Sequence, residues 1–361
     1  PTFGESKNLG ASINTPYFYV ISDSADLTFK PRFFSATEYL LQSEYRKEAK
    51  NSSHIVDLGF NKDDDNDGTK NHFFSNSVFN LYNKFFDQNK INLKVERISN
   101  DNYSKLYSLE STSPIIKNTS VLENLIEYSG SRDDLNLDLS FESYETTNRL
   151  SSDRYEFVYP NYNLTKNIYL EDKLFNNLEL NSSGNQKKFS TNIYEAVQVN
   201  DLLLSTDTIV NKLGVNNNFK SIFKNVNSDG KNSSKFKDKA QSEFLTMFAY
   251  DADIPLFKEN EKYRNILIPK ISLRHSPNNT KNLKNENRLL STDNIFSFNR
   301  IGFNQTIESG TSLTLGLDFD KKDKEDNNSL FSSKIATVFR DELNENLPIT
   351  SSLGKKQSDF V

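Results

Sequence analysis

The sequence predicts an all-β protein built of antiparallel strands with one apolar and one polar face. Three observations predict it. Apolar and polar residues alternate strictly along several short runs. Aromatic residues reach 12%, with 28 Phe and 16 Tyr, although only 35% of the chain is hydrophobic. The runs are separated by short turns and by long polar loops, and membrane barrels place these two kinds of connection at opposite ends. A mean hydropathy of −0.69 is low for a packed soluble chain of 361 residues. Disordered chains, however, are poor in aromatics. An aromatic, Ser- and Asn-rich chain suits a sheet with a greasy face and a wet face.

The opening residues read as a meander. Pro1-Thr2-Phe3-Gly4 leads to a polar knot at Glu5–Asn8, a strand over Leu9–Ile21, a turn at Ser22–Ala25 and a strand over Asp26–Phe34. Pro1, Pro16 and Pro31 fall inside these strands. Proline has no N–H to give to a ladder, so it belongs at an edge or a weak seam. Further along, Ile91, Leu93 and Val95 alternate with Asn92, Lys94 and Glu96. Leu135, Leu137, Leu139 and Phe141 alternate with Asn136, Asp138 and Ser140. Leu313, Leu315, Leu317 and Phe319 alternate with Thr314, Gly316 and Asp318. Such alternation marks strands. Ser131–Asp134 reads as a short turn, and Lys62–Lys70, Asn225–Lys235, Asn278–Asn287 and Asp320–Asn328 as long polar loops. Val121–Tyr128 carries Leu122, Leu125 and Ile126 at helical spacing, and Asp201–Leu213 fits a strand or a short helix. A soluble β-sandwich or β-solenoid alternates in the same way, so the pattern alone leaves the barrel and the soluble sheet both open.

Composition narrows the functions. The net charge is −5 with no basic patch, which gives no support for a nucleic-acid partner. With no Cys, disulfides, thiolate metal sites and cysteine nucleophiles are excluded. No run reaches the roughly 18 apolar residues of a membrane helix. Asp63, Asp65, Asp67 and Gly68 match the first half of a calcium loop, but Phe74 stands where the closing Glu belongs, so the stretch reads as an acidic solvated loop. His54, His72 and His275 are scattered and form no metal pair. Neither a nucleophile elbow nor a phosphate-binding glycine loop is present. The sequence therefore predicts no enzyme, no cofactor and no resident metal.

Pro1-Thr2-Phe3-Gly4, Gly10, Pro16-Tyr17 and Asp26-Leu27-Thr28-Phe29-Lys30-Pro31-Arg32-Phe33 resemble the opening of the barrel domain of the LptD family, outer-membrane proteins that assemble lipopolysaccharide (LPS). The resemblance continues collinearly through Ile91–Glu110, Tyr155–Leu164, Leu267–Leu273 with Pro277, Asn294–Gly302, Glu308-Ser309-Gly310 and Leu313–Leu317, and on to Leu347-Pro348 and Ser358–Val361. Ile268 and Lys270 stand where the family has Glu and Arg. The resemblance implies a large antiparallel transmembrane β-barrel in the outer membrane of a Gram-negative bacterium, incomplete in this chain. The family's N-terminal periplasmic jellyroll and its last barrel strands are expected outside it, which agrees with a chain that opens on Pro rather than Met and shows no signal peptide. It implies transport of LPS to the outer leaflet through a lateral gate between first and last strands, with Pro1 and Pro16 weakening that gate. Expected partners are LPS, an LptE-like plug lipoprotein, an LptA-like periplasmic bridge reached through the jellyroll, and membrane lipids. The main alternative is a porin or receptor-type barrel for small solutes. It predicts proline-free, paired first strands and a loop folded into the lumen. An outer-membrane barrel enzyme and a soluble extracellular β-protein are further alternatives.

Overall fold

Regular structure is almost entirely β. A computed structural model describes residues 1–35, 38–62, 69–171 and 175–361, and within them 20 strands belong to one sheet. The two α-helices are single turns, Tyr103–Leu106 and Ser151–Arg154. The acidic stretch Asp63–Gly68, with its half calcium loop, lies outside the described residues. The chain divides into two compact units: Pro1–Leu164, Ser183–Val197 and Ser228–Ala240 form the first, and Thr165–Ser182, Gln198–Asn227 and Gln241–Val361 the second.

The first unit holds β1 (Thr2–Ser6), β2 (Gly10–Asn14), β3 (Tyr17–Ser22), β4 (Ala25–Phe34), β5 (Tyr39–Ala49), β6 (Ser52–Lys62), β7 (Thr69–Leu81), β8 (Gln88–Ile98), β9 (Val121–Arg132) and β10 (Leu135–Thr146). β4 through β10 pair in sequence order, each antiparallel to the next. Next come β11 (Tyr155–Tyr169), β12 (Asn177–Phe189), β13 (Ile193–Ser205), β14 (Ile209–Val210) and β15 (Asn216–Lys231). Of these, β11, β12, β13 and β15 contribute residues to both units. The second unit ends with β16 (Gln241–Asp253), β17 (Leu256–Glu259), β18 (Tyr263–Ser276), β19 (Gly310–Asp323) and β20 (Ser329–Arg340), where β16, β18, β19 and β20 form consecutive antiparallel pairs.

Several strands bury polar side chains and expose apolar ones. In β6 Asp57 and Asn61 are fully buried, while Leu58 and Phe60 between and beside them are 44% and 47% exposed. β18 repeats the pattern, with Ser272, Arg274 and Ser276 buried and Ile271 and Leu273 exposed, and in β19 Ser312 and Thr314 are buried while Leu315 and Leu317 are exposed. A soluble sheet does the reverse, because apolar burial supplies most of its stability. The two apolar cores are built by loops instead. In the first unit, Tyr103, Tyr107, Leu109 and Ile116 of the segment 99–120 pack on Phe34, Leu40, Phe74 and Leu122. In the second, Leu283, Ile295 and Ile301 of the segment 277–309 pack with Ala336, Val338, Leu347 and Leu353.

Antiparallel alternation puts connections at two ends of each unit. In the first unit the turns 23–24, 50–51, 82–87 and 133–134 lie at one end, and 7–9, 99–120 and 147–154 at the other. Connections of unequal length thus lie at the two ends of the first unit, but two of the predicted long loops are shorter than expected, and in the second unit Asp320–Asn328 lies at the end opposite the segment 277–309. β15 runs to Lys231, into Asn225–Lys235, and β19 runs to Asp323, into Asp320–Asn328, which leaves a turn of 324–328. Strand ends that face water on both sides need no apolar residue, so their sequence reads as loop. Val121–Tyr128 is strand: a ladder to β8 on one side and β10 on the other outweighs the local helical spacing. Asp201–Leu213 divides between the end of β13 and the two-residue β14.

Candidate functional site

Three features stand out from a plain sheet: the proline-broken first strands, and one long segment in each unit laid against the buried polar face.

The predicted strand Leu9–Ile21 is two strands, β2 and β3, with Thr15 and Pro16 at the break. Both pair with the same neighbour: β3 with the first half of β4 and β2 with its end. Thr15 N–H donates to the Pro31 carbonyl at 3.1 Å, so Pro31 lies opposite the break. Alternation then turns the N–H of residue 14, and the position of the N–H that Pro16 lacks, toward β1. β1 pairs with β2 from Thr2↔Asn14 to Ser6↔Gly10 and extends no further. Pro1 precedes its first residue and is exposed. Beyond this short strand β3 has no partner on its outer side among the described residues, and Tyr17, Phe18, Tyr19, Val20 and Ile21 are each at least half exposed. Pro1 and Pro16 are thus at one frayed edge, 15 positions apart in sequence but on adjacent strands. Pro31 lies inside β4 and Pro160 inside β11.

The segment 99–120 is held to the polar face by buried polar contacts. Gln42 Nε2 donates to both Asp57 oxygens at 3.0 Å, Asp57 Oδ1 meets His72 Nε2 at 2.7 Å, and His72 Nδ1 meets the Tyr103 hydroxyl at 3.1 Å. Gly59 makes room, since a Cβ there would strike the His72 imidazole. Burial, and then the Asp57 charge, push the Tyr103 phenol well above its ordinary range, so it stays a hydroxyl. Arg32 donates to the Tyr107 carbonyl at 2.9 Å. Lys30 bridges Glu44 at 2.5 Å and the Thr112 carbonyl at 2.6 Å. Asp101 of the same segment takes two bonds from Arg154, which also meets Glu145.

The segment 277–309 is anchored by charge. Arg300 is fully buried and donates through Nε and Nη2 to the two Glu308 oxygens at 2.6 and 2.5 Å, and to Thr314 and Ser312 at 2.8 Å each. Arg340 of β20 also reaches Glu308 Oε1 and the Ser309 carbonyl. Arg274 of β18 donates to the Phe296 carbonyl at 2.9 Å. Phe296 in turn covers Gly316, where a Cβ would overlap its ring. Burial alone would raise the Glu308 carboxyl; the Arg300 guanidinium, then Arg340 and Arg274, outweigh it and hold it at about 2.

The Asp57–His72–Tyr103 chain is enclosed on all sides, and its hydroxyl lies in the unit's apolar core rather than in a cleft. Among the described residues no group of three or more His, Asp or Glu side chains is placed to hold a metal. His54 bonds Ser52 and Ser77, and His275 bonds Thr311. Sequence reasoning found the prolines and missed both anchors. Asp57-x-Gly59-x-Asn61, a polar face with a glycine gap, was the one legible signal for the first.

No protein-family model matches the chain, and no curated protein matches it.

Proposed function

We propose that the chain is barrel wall of an outer-membrane LPS-assembly translocon, transporting LPS to the outer leaflet through a lateral gate at the first strands. The frayed β1–β3 edge carries this reading. In lipid an unpaired backbone group costs several kcal/mol, so a barrel stays shut unless its seam is weak. Here the first strand is short, the second is broken at Pro16, and the donor missing there faces the seam. Each ladder bond that proline removes lowers the cost of opening by about 1 kcal/mol. The exposed apolar face supports a membrane location, and the collinear resemblance supplies LPS as cargo. An LptE-like plug, an LptA-like bridge and surrounding lipids complete this reading. It requires no bond-breaking chemistry.

A porin or receptor-type barrel is favoured by one observation, the two segments laid against the polar face, because a solute channel constricts itself in that way. The two readings part at the edge. In cells carrying the Pro1→Ala/Pro16→Ala protein, the seam gains donors and tightens by about 1–2 kcal/mol. Surface LPS per folded molecule falls, and crosslinking between first and last strands rises. A tighter seam with unchanged LPS delivery would remove the gate. Solute uptake into vesicles that scales with barrel content and ignores both prolines would favour the channel.

A further inference from the structure

A cavity of about 520 Å³ opens on the polar face of β10, β11 and β12 beside the connection 147–154, all within the first unit. We infer that it binds a neutral oligosaccharide. Charge decides the ligand class first. Arg149, Arg154 and Lys187 contribute +3 and Glu142, Asp153 and Glu156 contribute −3, so the lining sums to zero. An anion would meet three carboxylates and a cation three basic groups. A neutral ligand with many hydroxyls meets both signs as donors and acceptors.

The lining also separates occupied groups from free ones. Glu142 already accepts from Ser140, Tyr144 and Asn161, Lys187 holds Glu156 at 3.2 Å, and Arg154 is engaged by Asp101 and Glu145. The side chains of Arg149, Asp153 and Asn185 have no partner among the described residues. They supply donors on an arginine and an amide, and acceptors on a carboxylate and an amide, around one space. Tyr144, Tyr155 and Phe189 add ring surface, against which the C–H face of a pyranose packs. The volume lies in the roughly 300–1,000 Å³ range of small-ligand sites, enough for about two or three sugar rings. The site holds under either reading of the barrel and does not involve the β1–β3 edge.

The test uses the whole chain in a detergent with no sugar headgroup. Maltotriose and chitotriose are titrated by calorimetry, with inorganic phosphate and calcium chloride as charged probes. Saturable binding of at least one trisaccharide is expected, weakened about three- to tenfold by Arg149→Ala and by Asn185→Ala, as for loss of one or two hydrogen bonds. Both side chains lie outside the buried cores, and unchanged thermal unfolding of the variants verifies their fold. Displacement by a maltoside detergent assigns the site to lipid-borne sugar as well, and its failure to displace restricts the site to free saccharide; either result upholds it. No saturable trisaccharide binding, equal binding by both variants, or preference for phosphate or calcium overturns it. Pro1→Ala/Pro16→Ala leaves the binding unchanged, so failure of the gate and failure of this site are separable.

Discussion

The segments 99–120 and 277–309 solve one problem in two ways. Each lies against a buried polar face in its own unit, and each brings its unit's apolar core with it. The first is pinned at several points, by phenol and carbonyl groups that meet His72, Arg32 and Lys30. The second converges on a single carboxylate, Glu308, which faces Arg300 and Arg340 directly and Arg274 more remotely. Dispersed anchors fail one at a time. A charge cluster fails together, because removing its one anion leaves cations buried without compensation. Among the described residues, Arg274 Nη1 and Arg340 Nε in this cluster are buried without an acceptor.

Glu308→Ala should therefore have the largest effect. It strands Arg300 and Arg340, and costs about 3–5 kcal/mol by analogy with other broken buried pairs. Hydrogen exchange should show the amides of 277–309 losing protection while those of 99–120 keep theirs. Loss of protection in both segments would mean that they are not independent anchors.

Acid should reproduce part of that loss in the wild-type chain. The folded value of about 2 for Glu308 lies below its ordinary 4.5. Its contribution is complete above the ordinary value and disappears as pH falls from there through about 2. The difference is worth on the order of 3 kcal/mol. Exchange of the 277–309 amides, corrected for intrinsic rates, should accelerate across that window. With Glu308→Ala the transition should vanish; its persistence would assign it to another carboxylate.

Much of the strand pattern was legible in the sequence, because a period of two survives wherever one face is apolar. Leu135–Phe141 and Leu313–Phe319 read correctly for that reason. The anchors were not legible, because they join residues far apart in the chain: His72 with Tyr103, and Arg300 with Thr314 and Arg340. Thr314 illustrates the cost. Its alternation marks it as an ordinary polar-face position, on which a lysine should sit easily. In the fold it accepts from Arg300 at 2.8 Å and is fully buried, so a lysine there would add a further cation to the cluster. Asn136, polar-facing and exposed, is the position where lysine should be tolerated. Phe141→Lys on the exposed apolar face of the same strand should cost about 2–4 kcal/mol in a bilayer if it sits near the midplane. Equal tolerance of the two lysines in refolding into vesicles would count against a membrane-facing apolar surface.

The smallest effect should come from the dispersed anchor. Tyr103→Phe keeps the ring in the apolar core with Tyr107 and Leu109 and removes only the hydroxyl that meets His72. His72 keeps its 2.7 Å contact with Asp57, and Gln42 still donates to that carboxylate. One neutral hydrogen bond is lost and one imidazole nitrogen is left without a partner, a cost of about 1 kcal/mol. Arg32 and Lys30 continue to hold the Tyr107 and Thr112 carbonyls, so exchange protection of 99–120 should fall by roughly five- to tenfold rather than collapse. A loss as large as that of Glu308→Ala would show that His72–Tyr103 is a single keystone and that the two segments are anchored alike.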